Sequence, residues 1–215
     1  MRKVSSMPVE DKPKTVYWLE NKLYLNITNR CSNCCFFCLR NFKKGVGGFN
    51  LKLASEPSID QIERELEEFL NMRRWDEVVF CGFGEPTERL DVLLEVTRWI
   101  RQHCGRPLTI RLNTNGHAYA LNPGKDVVGE LKAAGVDKVS VSLNAGDGDT
   151  YAEICKPTLP NAYEIVIDFI KKAKPLLQVE ASAVRMPEVD IPKAQSVAES
   201  LGVKFRIREY IPCFF

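Results

Sequence analysis

Stretches of period-two patterning alternate with stretches of helical period along almost the whole chain, and this limits the possible folds more than any other feature. Residues 22–28 place Leu23, Leu25 and Ile27 on one face of a strand. Further strands are predicted at residues 77–80, 108–112, 138–143, 178–184 and 203–208. Helices are expected between them: one opening at Ser58, then residues 90–103, 125–134, 163–174 and 191–201. Ser58 and Gln61 form a capping box ahead of an apolar stripe of Ile62, Leu66, Phe69 and Leu70, and Gly135 and Gly202 close two later helices. Strands that alternate with helices require right-handed crossovers and therefore a parallel sheet. The expectation is an α/β fold of six parallel strands, too few to close an eight-stranded barrel.

The chain of 215 residues suits one domain. Residues 1–16 are expected to be a loose polar arm and 17–215 a single core domain, with no further domain after it. No apolar run reaches the ~20 residues that span a bilayer, and the N-terminus lacks the apolar region of a secretory signal, so an intracellular (cytoplasmic) protein without a membrane partner is expected. A formal net charge of +2 neither favours nor disfavours an acidic partner.

Unusual residues follow nearly every strand. Cysteines follow the first, Gly82 to Thr87 the second and Asn113-Thr114-Asn115-Gly116 the third. Asn144-Ala145-Gly146 follows the fourth, Arg185 to Glu188 the fifth and Glu209 to Pro212 the sixth. In parallel α/β folds, sites are assembled from loops at that edge. Turn-making explains some of these residues equally well.

Four of the eight cysteines crowd into Cys31, Cys34, Cys35 and Cys38. Thiolates in one short loop suit a compact metal centre. Zinc competes, because Cys31/Cys34 and Cys35/Cys38 are formally two half-sites. Adjacent Cys34 and Cys35 point apart, however, and zinc pairs usually come from separated loops. The preferred reading is an iron–sulfur cluster on Cys31, Cys35 and Cys38 with Cys34 spare. Three ligands on a four-iron cube leave one iron open to a small molecule.

The Cys31-x3-Cys35-x2-Cys38 loop, with Phe37 before its last cysteine, resembles the signature of the radical S-adenosylmethionine (SAM) superfamily. Phe83-Gly84-Glu85-Pro86 resembles the superfamily's Gly-Gly-Glu segment, with Phe83 in place of the first glycine, and Asn113-Thr114-Asn115-Gly116 resembles its ribose-side segment. The glycine loop 45–51 followed by Glu56-Pro57 looks like the TatD-linked branch. The resemblance implies an open partial (β/α)6 barrel, helices outside, holding a [4Fe–4S] cluster and SAM. It also implies reductive cleavage of SAM to a 5′-deoxyadenosyl radical that takes hydrogen from a substrate. Gly82, Phe83 and Gly84 would then offer backbone groups to the methionine ammonium, and Glu85 a carboxylate; a strut for the turn is the other reading of Glu85. Asn113 and Asn115 would reach the ribose hydroxyls, Ser142 and Asn144 ribose or carboxylate, Arg185 would neutralise the SAM carboxylate, and Phe37 would pack beside adenine. Expected partners are a flavodoxin or ferredoxin-type electron donor and a TatD-type hydrolase, with nucleic acid a weaker candidate.

Arg206 and Arg208 share one face of the last strand. Facing a barrel cavity they suggest an anionic substrate; a solvated strand face explains them too. Arg40, Lys43 and Lys44 around Phe42 make a thin basic patch for phosphate or a plain solvated loop. Cys81, Cys104, Cys155 and Cys213 share no spacing and read as ordinary thiols, and His103 and His117 are assigned no role, although His117 directly follows Asn-Gly. The apolar tail 211–215 is a candidate subunit contact. Two other functions stand beside the first. A glycyl-radical activase is disfavoured by Leu39-Arg40 after Cys38, where activases often carry His-Asn; a zinc- or cluster-stabilised binding module would not need the second- and third-strand motifs.

Overall fold

The computed structural model describes residues 11–210, so Cys213 and the tail 211–215 lie outside the described residues. In chain order the elements are β1 (Val16–Leu19), β2 (Lys22–Leu25), β3 (Gly45–Val46), β4 (Phe49–Asn50), α1 (Ile59–Leu70), β5 (Glu77–Phe80), α2 (Leu90–His103) and β6 (Thr109–Thr114). They continue with α3 (Ala118–Leu121), α4 (Val127–Ala134), β7 (Lys138–Ser142), α5 (Gly148–Cys155), α6 (Ala162–Ala173), β8 (Gln178–Arg185), α7 (Ile191–Ser200) and β9 (Lys204–Glu209). The main sheet runs β1-β2-β5-β6-β7-β8-β9, and every pair from β2 onward is parallel. Because the parallel strands never reverse order, right-handed crossovers put all their helices on one face. The other face is left as the inside of an open arc.

Strand register separates the faces cleanly. Leu23, Leu25, Val78, Phe80, Ile110, Leu112, Val139 and Val141 lie on the helix side, buried against Ile62, Leu66, Leu93, Leu131 and Phe169. Each such side chain contributes about 1.5–3 kcal/mol by burial. The inner face carries Tyr24, Val79, Arg111, Asn113, Ser140, Ser142, Glu180, Ser182, Arg206 and Arg208, a polar set by the same alternation.

Three sequence expectations need correction. The sheet has a seventh strand, β1, antiparallel to β2, so the polar arm does not run to residue 16. Its end is pinned: Asn26 N donates to Thr15 O at 2.8 Å, Lys14 N to Asn50 O at 2.8 Å, and the Tyr17 ring stacks on Tyr24 with centroids 5.0 Å apart. Helices α3 and α5 exceed the five expected, and β3–β4 forms a small hairpin inside the glycine loop. Asn113 and Thr114 belong to β6 itself rather than to the loop after it. Among the described residues no helix is long and apolar enough to cross a membrane.

Candidate cluster and cofactor site

The cysteine loop after β2 is held by its own backbone and by α5. Cys34 N donates to Cys155 O at 3.0 Å, Cys38 N to Cys35 O at 3.1 Å, and the Arg40 guanidinium reaches back to Asn33 O at 2.9 Å. Arg40 thus stitches the loop, while Phe42, Lys43 and Lys44 are exposed. Cys31, Cys35 and Cys38 are half-buried free thiols and Cys34 points to solvent. Burial pushes the Cys31 thiol up to about 12 and raises Cys38; a hydrogen bond with Cys155, then burial, raises Cys35.

The loop after β5 is wedged against this one. A Cβ on Gly84 would stand 2.5 Å from both Thr28 O and Arg30 O, and one on Gly82 would collide with the Asn26 side chain, so neither position admits a larger residue without movement. Phe83 N donates to Asn26 Oδ1 at 3.2 Å, and its ring packs with Tyr17, Phe49 and Leu51. The carbonyls of Gly82, Phe83 and Gly84 accept no hydrogen bond from the described residues. Glu85 is buried and joins two loops: it accepts from Thr87 N (3.1 Å), Thr87 Oγ1 (2.8 Å), Thr114 Oγ1 (2.9 Å) and Asn115 N (2.6 Å). Burial raises its carboxyl, and these donors pull the other way.

After β6 the chain turns through Asn115 and Gly116, whose φ of +84° favours glycine. Asn115 Oδ1 accepts from His117 N at 2.9 Å, while its Nδ2 donates to Ser32 Oγ at 2.9 Å and lies 3.8 Å from Cys31 Sγ. Ser32 Oγ also shares a hydrogen bond with His117 Nδ1 at 2.8 Å. His117 Nε2 is 3.1 Å from Tyr151 OH, which also accepts from Asn33 Nδ2 at 3.0 Å. His117 is fully buried, and desolvation pulls its pKa down to about 4, so the ring is neutral. This chain ties the cysteine loop to the β6 turn and to α5.

Ser142 and Asn144 do meet, and at Arg208: its Nη2 lies 3.3 Å from Ser142 Oγ and 2.9 Å from Asn144 Oδ1. Asn144 Nδ2 in turn contacts Cys155 Sγ at 3.3 Å. Asn113 presents a buried Oδ1 with no partner toward the inner face. Phe37 packs edge-to-face on Phe36, 5.6 Å between centroids, against the core. Arg185 is not brought to this site. Alternation turns it to the face opposite Ser182 and Val184, where it is exposed and pairs with Glu209 at 3.2 Å. Sequence reasoning gave His117 and Cys155 no role here and passed over Tyr151, Ser32 and Asn33; the place of Ser32 and Asn33 between the cysteines was the available signal.

The donor set fits the expected cluster. Among the described residues no three Cys, His, Asp or Glu side chains converge on one ion-sized point, as a single tetrahedral zinc requires. A cube of four irons presents each iron at its own corner and takes thiolates that stand apart. A cavity of ≈ 620 Å³ lies at the other end of the arc, at the strands' N-terminal ends, lined by Arg111, Lys138, Lys174, Lys204, Glu77 and Glu180. The cysteines are not part of it.

An open parallel arc with a three-cysteine loop at its C-terminal edge defines a cluster-dependent enzyme class. The Radical SAM superfamily profile matches residues 25–190, and the chain belongs to that superfamily, whose members use a [4Fe–4S] cluster and SAM. A protein of Saccharolobus solfataricus named "Probable GTP 3′,8-cyclase" is 32% identical over 151 residues, 70% of this chain and 42% of that one. A Methanocaldococcus jannaschii protein of the same name is 29% identical over 194 residues, 88% of this chain and 59% of that one. The chain thus spans about half the length of these relatives. The fold resembles that of Streptococcus suis SuiB bound to S-adenosylmethionine, with a TM-score of 0.66 at 17% identity over 89% of this chain and 41% of that one.

Proposed function

We propose that this chain binds a [4Fe–4S] cluster through Cys31, Cys35 and Cys38 and cleaves SAM there to act on a nucleotide-related small molecule. The observation that carries this reading is spatial. Three half-buried thiols of one loop stand beside a loop in which the carbonyls of Gly82, Phe83 and Gly84 accept no hydrogen bond from the described residues, above a polar inner face. When bound and reduced, the cluster supplies the electron that breaks the C5′–S bond of SAM. The chain's own residues do the rest. Carbonyls of Gly82, Phe83 and Gly84 accept from the SAM ammonium, which needs acceptors rather than donors. Asn113, with its unpaired Oδ1, takes a ribose hydroxyl. Glu85 acts as the strut that keeps the two SAM-facing loops in register, and Asn115 and His117 hold the cysteine loop onto the β6 turn. Phe37 flanks the adenine.

The nucleotide-related substrate is supported by the relatives named as GTP cyclases, and the intracellular setting by the redox chemistry. The electron donor would be of flavodoxin or ferredoxin type, meeting the exposed Lys43 and Lys44 beside the cysteine loop. The glycine loop that suggested the TatD-linked branch forms the β3–β4 hairpin next to this site, and association with a TatD-type hydrolase belongs to the same proposal. Anaerobic protein loaded with cluster, SAM and dithionite is incubated with GTP, ATP or guanosine. A nucleotide that raises 5′-deoxyadenosine output and passes deuterium into it supports the reading. Output indifferent to every nucleotide, with no deuterium transfer, would count against a nucleotide substrate.

A further inference from the structure

Arg208 is a half-buried guanidinium on the inner face with no acidic partner among the described residues. Among the described residues its Nη2 meets only Ser142 Oγ and Asn144 Oδ1, and its buried Nε finds no hydrogen-bond partner. Neither carboxylate of that face serves it. Glu77 is shared among Lys22 (3.4 Å), Arg111 (3.3 Å) and Lys138 (3.4 Å). Glu180 is taken by Arg206, whose Nε lies 2.7 Å from Oε1, close enough for an ion pair though not aligned as a hydrogen bond. Burial and the charge of Arg206 together depress the Arg208 pKa, but an arginine keeps its proton in a protein. A partly desolvated charge without a counter-ion is unfavourable, and a bound anion offsets that cost.

The geometry points to a phosphate-binding subsite on the inner face, formed by Arg208 with Arg206, that holds a phosphate-bearing substrate beneath the cysteine loop. This deepens the reading above and rests on it. Three features select phosphate and select the substrate. The two arginines are two residues apart on β9, roughly 7 Å between their backbone positions, so the two forks can take separate oxygens of one di- or triphosphate. Arg206 lies deeper in the arc than Arg208, opposite Ser182 rather than at the strand's end, and so below the level of the loops assigned to SAM. Hydroxyl groups of Ser140 (3.4 Å from Arg206 Nη2) and Ser142, on β7 across the intervening β8, already orient the two forks, which suits bidentate phosphate recognition.

The test uses the full chain, cluster-loaded and anaerobic, with inorganic tripolyphosphate and GTP as probes in titration calorimetry. SAM affinity and the cluster's absorption spectrum are measured on the same samples. Arg208→Gln removes the charge and Arg208→Lys keeps the charge but not the fork; Arg185→Gln, on the outer face, is the control. Wild type and Arg185→Gln are expected to bind tripolyphosphate and GTP alike. Arg208→Gln should weaken both probes at least tenfold and Arg208→Lys several-fold, each with unchanged SAM affinity and spectrum. Failure of wild type to bind either probe would overturn the subsite. So would a loss of SAM affinity in Arg208→Gln with probe binding retained, which would make Arg208 a partner of the SAM carboxylate. A changed spectrum with probe binding intact would assign its charge to the cluster instead. None of these binding outcomes depends on SAM cleavage, so the subsite can fail while the radical chemistry stands, and the reverse.

Discussion

The neutral, buried His117 makes a prediction whose size follows from the structure. Its pKa falls from an ordinary 6.5 to about 4 because the ring is desolvated between Ser32 and Tyr151. The unfolded chain therefore binds the proton more tightly, and stability that is complete above pH 6.5 is lost as the pH falls toward 4. A shift of this size corresponds to about 3 kcal/mol in full, of which about 2 kcal/mol is gone by pH 5. Urea unfolding of the reduced, cluster-free protein, followed by tryptophan fluorescence at pH 7 and pH 5, measures the loss. The same pair of measurements on His117→Gln removes the contribution of every other titrating group. Wild type should lose about 2 kcal/mol more than the variant over this interval. Parallel losses in the two proteins would mean that the ring is not held neutral, and the Ser32–His117–Tyr151 chain would have to be abandoned as a structural link.

Other positions carry further expectations. Gly84→Ala pushes a methyl against the Thr28 and Arg30 carbonyls and should cost about 1–3 kcal/mol in urea unfolding, with lower iron uptake; unchanged values would show that the two loops are not in close contact. Glu85→Gln turns an amide toward donors that need an acceptor and should lower stability by about 1–3 kcal/mol with weaker SAM binding, whereas SAM loss without destabilisation would favour a direct contact over a strut. Cys34→Ala should retain wild-type iron and sulfide content, and Cys38→Ala should lose most of it; the opposite pattern would reassign the ligands.

Local signals were readable in the chain, and long-range ones were not. The cysteine spacing and the strand–helix alternation each sit within a short window, so the superfamily resemblance and six parallel strands were legible. β1 was hidden because its four residues follow a polar stretch, and its stability comes from Tyr24 stacking and from Asn26 and Asn50 farther along. The opening of α5, Gly148-Asp149-Thr150, has the composition of a loop, yet Asp147 caps it by accepting from Thr150 N at 2.8 Å, and Tyr151, Ile154 and Cys155 give it a buried face. Arg185 and Arg208 were equally plausible cations until pairing register put one outside and the other inside. Tyr151 and His117, 34 residues apart, become partners only once α5 is placed against the β6 turn.

The central claim is that the thiols of Cys31, Cys35 and Cys38 hold a cluster that cleaves SAM. Its most direct test is the anaerobic yield of 5′-deoxyadenosine, by mass spectrometry, from reconstituted and reduced protein given SAM, beside a Cys35→Ala control. Formation of 5′-deoxyadenosine by wild type, and its loss in the control, is the expected result. A fully assembled [4Fe–4S] cluster that yields no 5′-deoxyadenosine with any reductant or nucleotide supplied, or equal yield from Cys35→Ala, would contradict the account.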